Sequence, residues 1–241
     1  MNPSNASSFR RMACGLCLLA GPACILVASI VDPSDSGGDS NDDARRYLQS
    51  IKDDPDGTQL STALFIVGLA LLVVGLIGFV HVIRERGVVL ANVGGTLAIF
   101  GGIFFVALVT TTIADLNAAE HLDIETARKL NEDVEDYWSA YVVFIPAIFG
   151  SFLGWLLLAA ALIRSRLTHV AAGVMLILGI VMIPVGEDSD VLGVVGGLLL
   201  LAGFGMVGLK ILGMTDEQWD GRAPLGAGPE APAAAGPPPA V

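Results

Sequence analysis

Two thiols and two imidazoles fall at matching depth near the ends of apolar runs in this sequence. Cys14 and Cys17 open the first run, His81 closes the second, and His169 stands just before the fifth. Together they are the donor set of a Cys2His2 metal centre, and two histidines alone can ligate a haem. In "CGLCLLAGPAC" Cys14, Cys17 and Cys24 recur at i, i+3 and i+10, within about 80° of one helical face. The plainer role is packing, because cysteine serves as a small apolar residue inside a helix. Spacing alone does not bring the first, second and fifth runs together. The expectation is no cofactor and no catalytic residue, with Cys14, Cys17, His81 and His169 as the metal candidates to locate.

Arginine supplies a second pattern. "HVIRERGVVL" (81–90) and "ALIRSRLTHV" (161–170) each set two arginines between long apolar stretches. Ile83, Arg84, Arg86 and Ala91 align with Ile163, Arg164, Arg166 and Ala171 at an offset of 80. Two like-oriented hairpins, in part an internal repeat, would each turn at I-R-x-R, as duplicated hairpins do in transporters. Such arginines are either an anion clamp or topology determinants on the cytoplasmic face.

The elements that hold these residues are apolar helices. The chain has 241 residues, 54% hydrophobic and only 15% charged, against roughly 25% charged in soluble domains. Six runs are long enough, or nearly so, to cross a hydrocarbon core about 30 Å thick. They are Met12–Val31, Leu60–Ile83, Val88–Ala114, Trp138–Ile163, Val170–Gly186 and Val191–Gly213. The fifth is short and carries Pro184 near its end. None alternates with period two, which excludes a membrane β-barrel. The fold class expected is all-α: a polytopic six-helix bundle over 12–214, with an N-terminal segment 1–11 and a disordered Ala/Gly/Pro-rich tail 215–241.

Orientation follows from the basic residues. Arg10, Arg11, Arg84, Arg86, Arg164, Arg166, Lys210 and Arg222 fall on one side, close to span ends, where the positive-inside rule weighs them most. Arg45, Arg46, Lys52, Arg128 and Lys129 fall on the other, together with 19 of the 24 acidic residues. Both termini are expected in the cytoplasm and the protein in the cytoplasmic membrane. "SSFRRMAC" half-resembles a twin-arginine signal, but the apolar run after it is longer than a signal core, so a retained span is expected. The acidic balance gives no support for nucleic-acid binding.

Two short amphipathic helices are expected in the outer loops. In "SNDDARRYLQSIKDD" Ala44, Tyr47, Leu48 and Ile51 share a face, Ser40 or Asn41 can cap the start, and "DDPDG" ends it. In "DIETARKLNEDVEDYW" the face is Ala127, Leu130, Val134 and Tyr137, with Asp123 as cap. Tyr137, Trp138 and Tyr141 read as an aromatic belt at one membrane boundary.

Away from the span ends there is no Asp, Glu, Lys or Arg, which argues against a proton- or sodium-coupled transporter and a charged-ring channel. Asn92, Thr96, Thr110–Thr112 and Ser151 are expected to hydrogen-bond between helices. Paired glycines, as in "GSFLG" (150–154) and "GVVGG" (193–197), predict close helix approach within the bundle, or a dimer face. The acidic "DPSDSGGDSNDD" (32–43) lacks the EF-hand pattern, and no HExxH, GxSxG or phosphate-loop motif occurs.

The segment 44–86, "ARRYLQSIKDDPDG" followed by "TQLSTALFIVGLALLVVGLIGFVHVIRERG", resembles six-span actinobacterial integral membrane proteins of unassigned function. That resemblance implies a bacterial membrane protein and transfers no site residues. The function expected is a structural or interaction protein, not an enzyme, whose partners are the lipid bilayer and a membrane protein or a second copy. One alternative is a carrier or channel for a neutral or lipophilic molecule, using Asn92. Another is a metal- or haem-binding redox protein.

Overall fold

The computed structural model describes residues 3–33, 41–135, 137–185 and 190–223. Among these residues eleven helices and one π-helical turn follow in order. They are α1 (Pro3–Val31), α2 (Asn41–Asp53), α3 (Pro55–Val82), α4 (Val88–Val109), α5 (Thr111–His121), α6 (Ile124–Glu135) and α7 (Trp138–Ile145). The π turn Pro146–Gly150, α8 (Ser151–Ser165), α9 (Val170–Val185), α10 (Asp190–Leu212) and α11 (Asp216–Trp219) complete the set. No strand occurs among the described residues.

Among the described residues, five helices are long and apolar enough to cross a membrane: Ala6–Val31, Pro55–Val82, Val88–His121, Trp138–Ser165 and Val191–Leu212. The chain is therefore an integral, multi-pass membrane protein. The fifth expected span, Val170–Gly186, is α9, with 16 residues and a length of about 24 Å. Gly186 and the side chain of Pro184 lie outside the described residues, as do Ser40, the side chains of Asn41 and Val134, most of the acidic loop, and the tail beyond 223.

Around the bundle α1 packs on α3, α3 on α4, α4 on α8, α8 on α9, α9 on α10, and α10 back on α1. The ring has a filled centre. Phe79 of α3 and Phe204 of α10 meet edge to face at 6.4 Å, and Trp155 of α8 meets Phe204 in the same way at 6.1 Å. Aromatic pairs prefer this geometry, with the positive edge of one ring on the negative face of the other.

Glycine sets how closely the helices approach. A Cβ on Gly21 would lie 2.9 Å from the Gly68 carbonyl oxygen, and one on Gly68 would lie 2.8 Å from that of Gly21. Gly94 faces the backbone of Gly154 and Leu158, and Gly101 is pressed against the backbone of Ser151. Lipid is as apolar as leucine, so van der Waals contact between backbones holds such helices together. "GSFLG" is thus an internal α4–α8 contact. In "GVVGG" Gly197 faces Leu26, while Gly193 has open space beside it.

Three expectations change here. The span expected to stop at Ala114 runs on, as α4 and α5 form a nearly continuous 34-residue stretch. Thr110 and Thr111 donate to their own helix at Ala107 and Leu108 rather than to a neighbour, because a threonine hydroxyl reaches that carbonyl without leaving the helix. The tail is also not uniformly without structure after Met214. Thr215 and Gln218 form a reciprocal capping box that starts α11.

Candidate functional site

The four metal candidates do not assemble. Cys14 is buried against Gly78, so it fills a helix contact. His169 lies exposed at the start of α9, where its Nδ1 accepts the backbone N–H of Ala171 at 3.2 Å, a capping role. Among the described residues no three of His, Cys, Asp and Glu gather as a metal site would require. The thiols of Cys14, Cys17 and Cys24 are free.

His81 has another use. Its ring lies 4.6 Å from that of Trp219, centroid to centroid, and its Nε2 is 3.1 Å from the Trp219 carbonyl oxygen. Arg84 donates to that carbonyl through Nη2 and to the His81 carbonyl through Nε at 3.0 Å. The indole of Trp219 is buried and reaches to Gly78, beside Cys14. From the other flank, Arg11 of α1 donates to the Leu212 carbonyl at 3.1 Å, satisfying an open acceptor at the end of α10. The Arg11 Nε also lies 3.2 Å from Asp216, as an ion pair without hydrogen-bond alignment. Ser7 donates to Asp220 at 2.6 Å. Hydrogen bonds from Ser7 and then Arg222 hold the Asp220 carboxyl below its usual range. These contacts latch residues 215–222 onto the ends of α1, α3 and α10.

The opposite end carries a cap of α2, α5 and α6. Leu48 and Ile51 of α2, Leu116 and Ala119 of α5, and Ala127 of α6 form its own small core. The face expected of α2 is thus the one it buries. In α6 the expected face is corrected: Leu130 and Tyr137 are exposed, and Ile124 joins Ala127 in the contact. Burial of that edge against Leu48 and Ile51 sets the rotation of α6. Beside it Glu125 accepts from Arg45 at 2.6 Å and from Arg128 at 2.7 Å. Hydrogen bonds from Arg128 and Arg45 push the Glu125 carboxyl down to about 2. Asp123 caps α6 as expected, accepting from the Thr126 hydroxyl and backbone, and those bonds lower its pKa. Burial raises the Tyr47 phenol above its usual range, with the Asp115 carboxylate adding to the effect. Arg45, Arg46, Gln49, Ile124 and Glu125 line an open concavity of about 380 Å³.

The two I-R-x-R turns lie side by side. Gly87 comes up against the backbone of Ala161. Glu85, Arg86, Gly87, Ile163, Arg164 and Arg166 together line a concavity of about 510 Å³. Aligned residues are not equivalent, however. Arg84 follows the end of α3 and serves the latch, whereas Arg164 lies within the last turn of α8. The left-handed residue is Gly87 in the first turn (φ 83°) and Arg166 in the second (φ 55°), one position out of register. The repeat is one of residue types and not of turn geometry.

Asn92 and Thr96 both lie on the exposed side of α4, facing away from the ring. Ser151 is buried beside Gly101, and its hydroxyl meets no acceptor.

No family model matches this chain, and no curated protein or solved structure is similar to it. Function is therefore read from geometry alone.

Sequence reasoning missed the latch. Its signal was present in "TDEQW", where Thr215 and Gln218 stand at capping-box spacing ahead of one tryptophan. Its docking depends on contacts 135 or more residues away along the chain, which no local pattern encodes.

Proposed function

We propose that this chain is a non-enzymatic structural or interaction protein of a bacterial cytoplasmic membrane, spanning it six times with both termini inside. α9 is the sixth span. α8 ends beside the α3–α4 turn and α10 ends beside α11, so α9 runs the other way between them. Its 24 Å falls short of the usual core thickness by an amount that local thinning accommodates. The positive-inside bias puts the latch end in the cytoplasm and the cap outside. A retained first span agrees with the position of α1, which packs on both α3 and α10.

The observation that carries the interaction reading is where polar structure has been built. The ring centre is occupied by Phe79, Phe204 and Trp155, and the organised polar groups lie at the two ends. A carrier for a neutral solute needs polar groups facing an inner path, and Asn92 and Thr96 face outward. The cap, with its own core and an open charged concavity, is the surface suited to a partner.

Photo-crosslinking in intact membranes, with the probe at Gln49 on the cap, tests this reading. The expected result is one discrete adduct, either with a second protein or with another copy. Recovery of lipid and uncrosslinked chain alone would overturn the partner assignment. Uptake of a neutral solute by liposomes holding the purified protein would overturn the non-carrier assignment.

A further inference from the structure

Arginines at the latch end divide into two sets. Arg11, Arg84 and Arg222 are engaged, with Asp216 and the Leu212 carbonyl, the Trp219 carbonyl, and Asp220 respectively. Arg86, Arg164 and Arg166 meet no carboxylate or carbonyl among the described residues, yet they converge on one concavity. Glu85, also on its rim, is the single carboxylate there, so the site is net positive.

Two further features add to that charge. Gly87 caps α4 in the left-handed conformation and offers no side-chain acceptor, so the first N–H groups of a 22-residue helix stay open. Arg166 itself ends α8 in the left-handed region, where glycine is the usual residue. A side chain held there against backbone preference keeps a guanidinium at the rim. Topology requires arginine on this side of the membrane, but it requires neither convergence of three around one hollow nor an arginine at a glycine position.

We infer that Arg86, Arg164 and Arg166 form a binding site for a phosphate group at the membrane face. Guanidinium forks match phosphate oxygens in pairs, and basic hollows between transmembrane helices on the cytoplasmic side take anionic lipid headgroups. The two sources of that chemistry are the phosphodiester of an anionic phospholipid and a soluble phosphate. Half-buried Ile163 lines the hollow with apolar surface, suited to an acyl chain of the former. The site rests on the multi-pass membrane reading and is independent of any partner at the cap.

The test uses the full chain in neutral detergent, and native mass spectrometry after exposure to phosphatidylglycerol or to phosphatidylcholine. One phosphatidylglycerol should be retained at least tenfold more than phosphatidylcholine, and R86Q/R164Q/R166Q should lose that preference, as should the two-charge variant R86Q/R164Q, while R10Q/K210Q, which also removes two charges from this end, keeps it. Thermal protection by inorganic phosphate alone, lost in the same triple variant, supports the site with a soluble source instead. Equal retention of both lipids together with no protection by phosphate overturns the proposal. So does a triple variant that behaves as the parent. Should the triple variant fail to fold, R166G is the substitute, since glycine suits the left-handed backbone and takes away the guanidinium together with its aliphatic stem.

Discussion

Trp219 and His81, 138 residues apart, hold their rings tilted against each other at 4.6 Å, and the His81 Nε2 meets the Trp219 carbonyl, which closes the C-terminal latch. Trp219→Ala removes a buried aromatic side chain, a change that costs about 3–5 kcal/mol in a core. The loss falls on the latch and on the bundle end it covers, because the indole packs against Gly78 of α3 beside Cys14 of α1. Trypsin cleavage after Arg222 should accelerate at least tenfold, and the bundle's melting temperature should fall with it. His81→Ala should act in the same direction by about 1 kcal/mol, the usual worth of an aromatic pair. Unchanged cleavage in both variants would remove the latch.

Gly101 lies against the backbone of Ser151, and Gly193 faces nothing within 4 Å. Gly101→Ala should therefore cost about 1–3 kcal/mol by forcing α4 and α8 apart. Gly193→Ala should be neutral, or stabilising by up to about 1 kcal/mol from helix propensity. Unfolding in mixed micelles reads both, and equal effects would contradict the helix contacts described.

Glu125 titrates at about 2 in the folded cap, below its ordinary 4.5. A depressed acid contributes stability that is fully present above the unfolded value and is lost as pH falls through the folded one. The tie among Arg45, Glu125 and Arg128 should hold at pH 5 and above and weaken from about 4.5 toward 2. Amide exchange in α2 and α6 should rise over that window in the parent chain, and Glu125→Gln should flatten the response. An equally steep response in Glu125→Gln would assign it elsewhere.

Asn92 and Thr96 face outward, so Asn92→Leu with Thr96→Val should leave the fold intact and raise stability by removing polar groups from a lipid-facing surface. Loss of folding in this double variant would show that the two side chains have an inward partner.

What the sequence revealed divides along physical lines. Span positions were legible because water-to-lipid transfer acts residue by residue, and the α2 face because helical period is local. Cap chemistry at Asp123 was legible for the same reason. The face of α6 was misjudged because the apolar side chains it packs on, Leu48 and Ile51, lie in a separate helix far back along the chain. His81 drew attention as a metal ligand, yet its partner is an aromatic ring far along the chain. Spacing showed the two I-R-x-R turns, but only the α4–α8 glycine contact brings them to one hollow. Arg84 and Arg86, two positions apart, were read as one motif, and the fold sends them to different tasks.

Ring closure sets an order of assembly. α1 is the earliest of the bundle helices in the chain, and α10, which packs on its flank, is the last. During synthesis one side of α1 must stay against lipid until α10 has entered the bilayer. Arg11 can cap the Leu212 carbonyl, and Ser7 can meet Asp220, only after that moment. The latch is thus formed only by a finished bundle, and a chain halted before its last span would present an uncovered α1 and no docked tryptophan, two features by which a membrane protease could tell the incomplete molecule from the complete one.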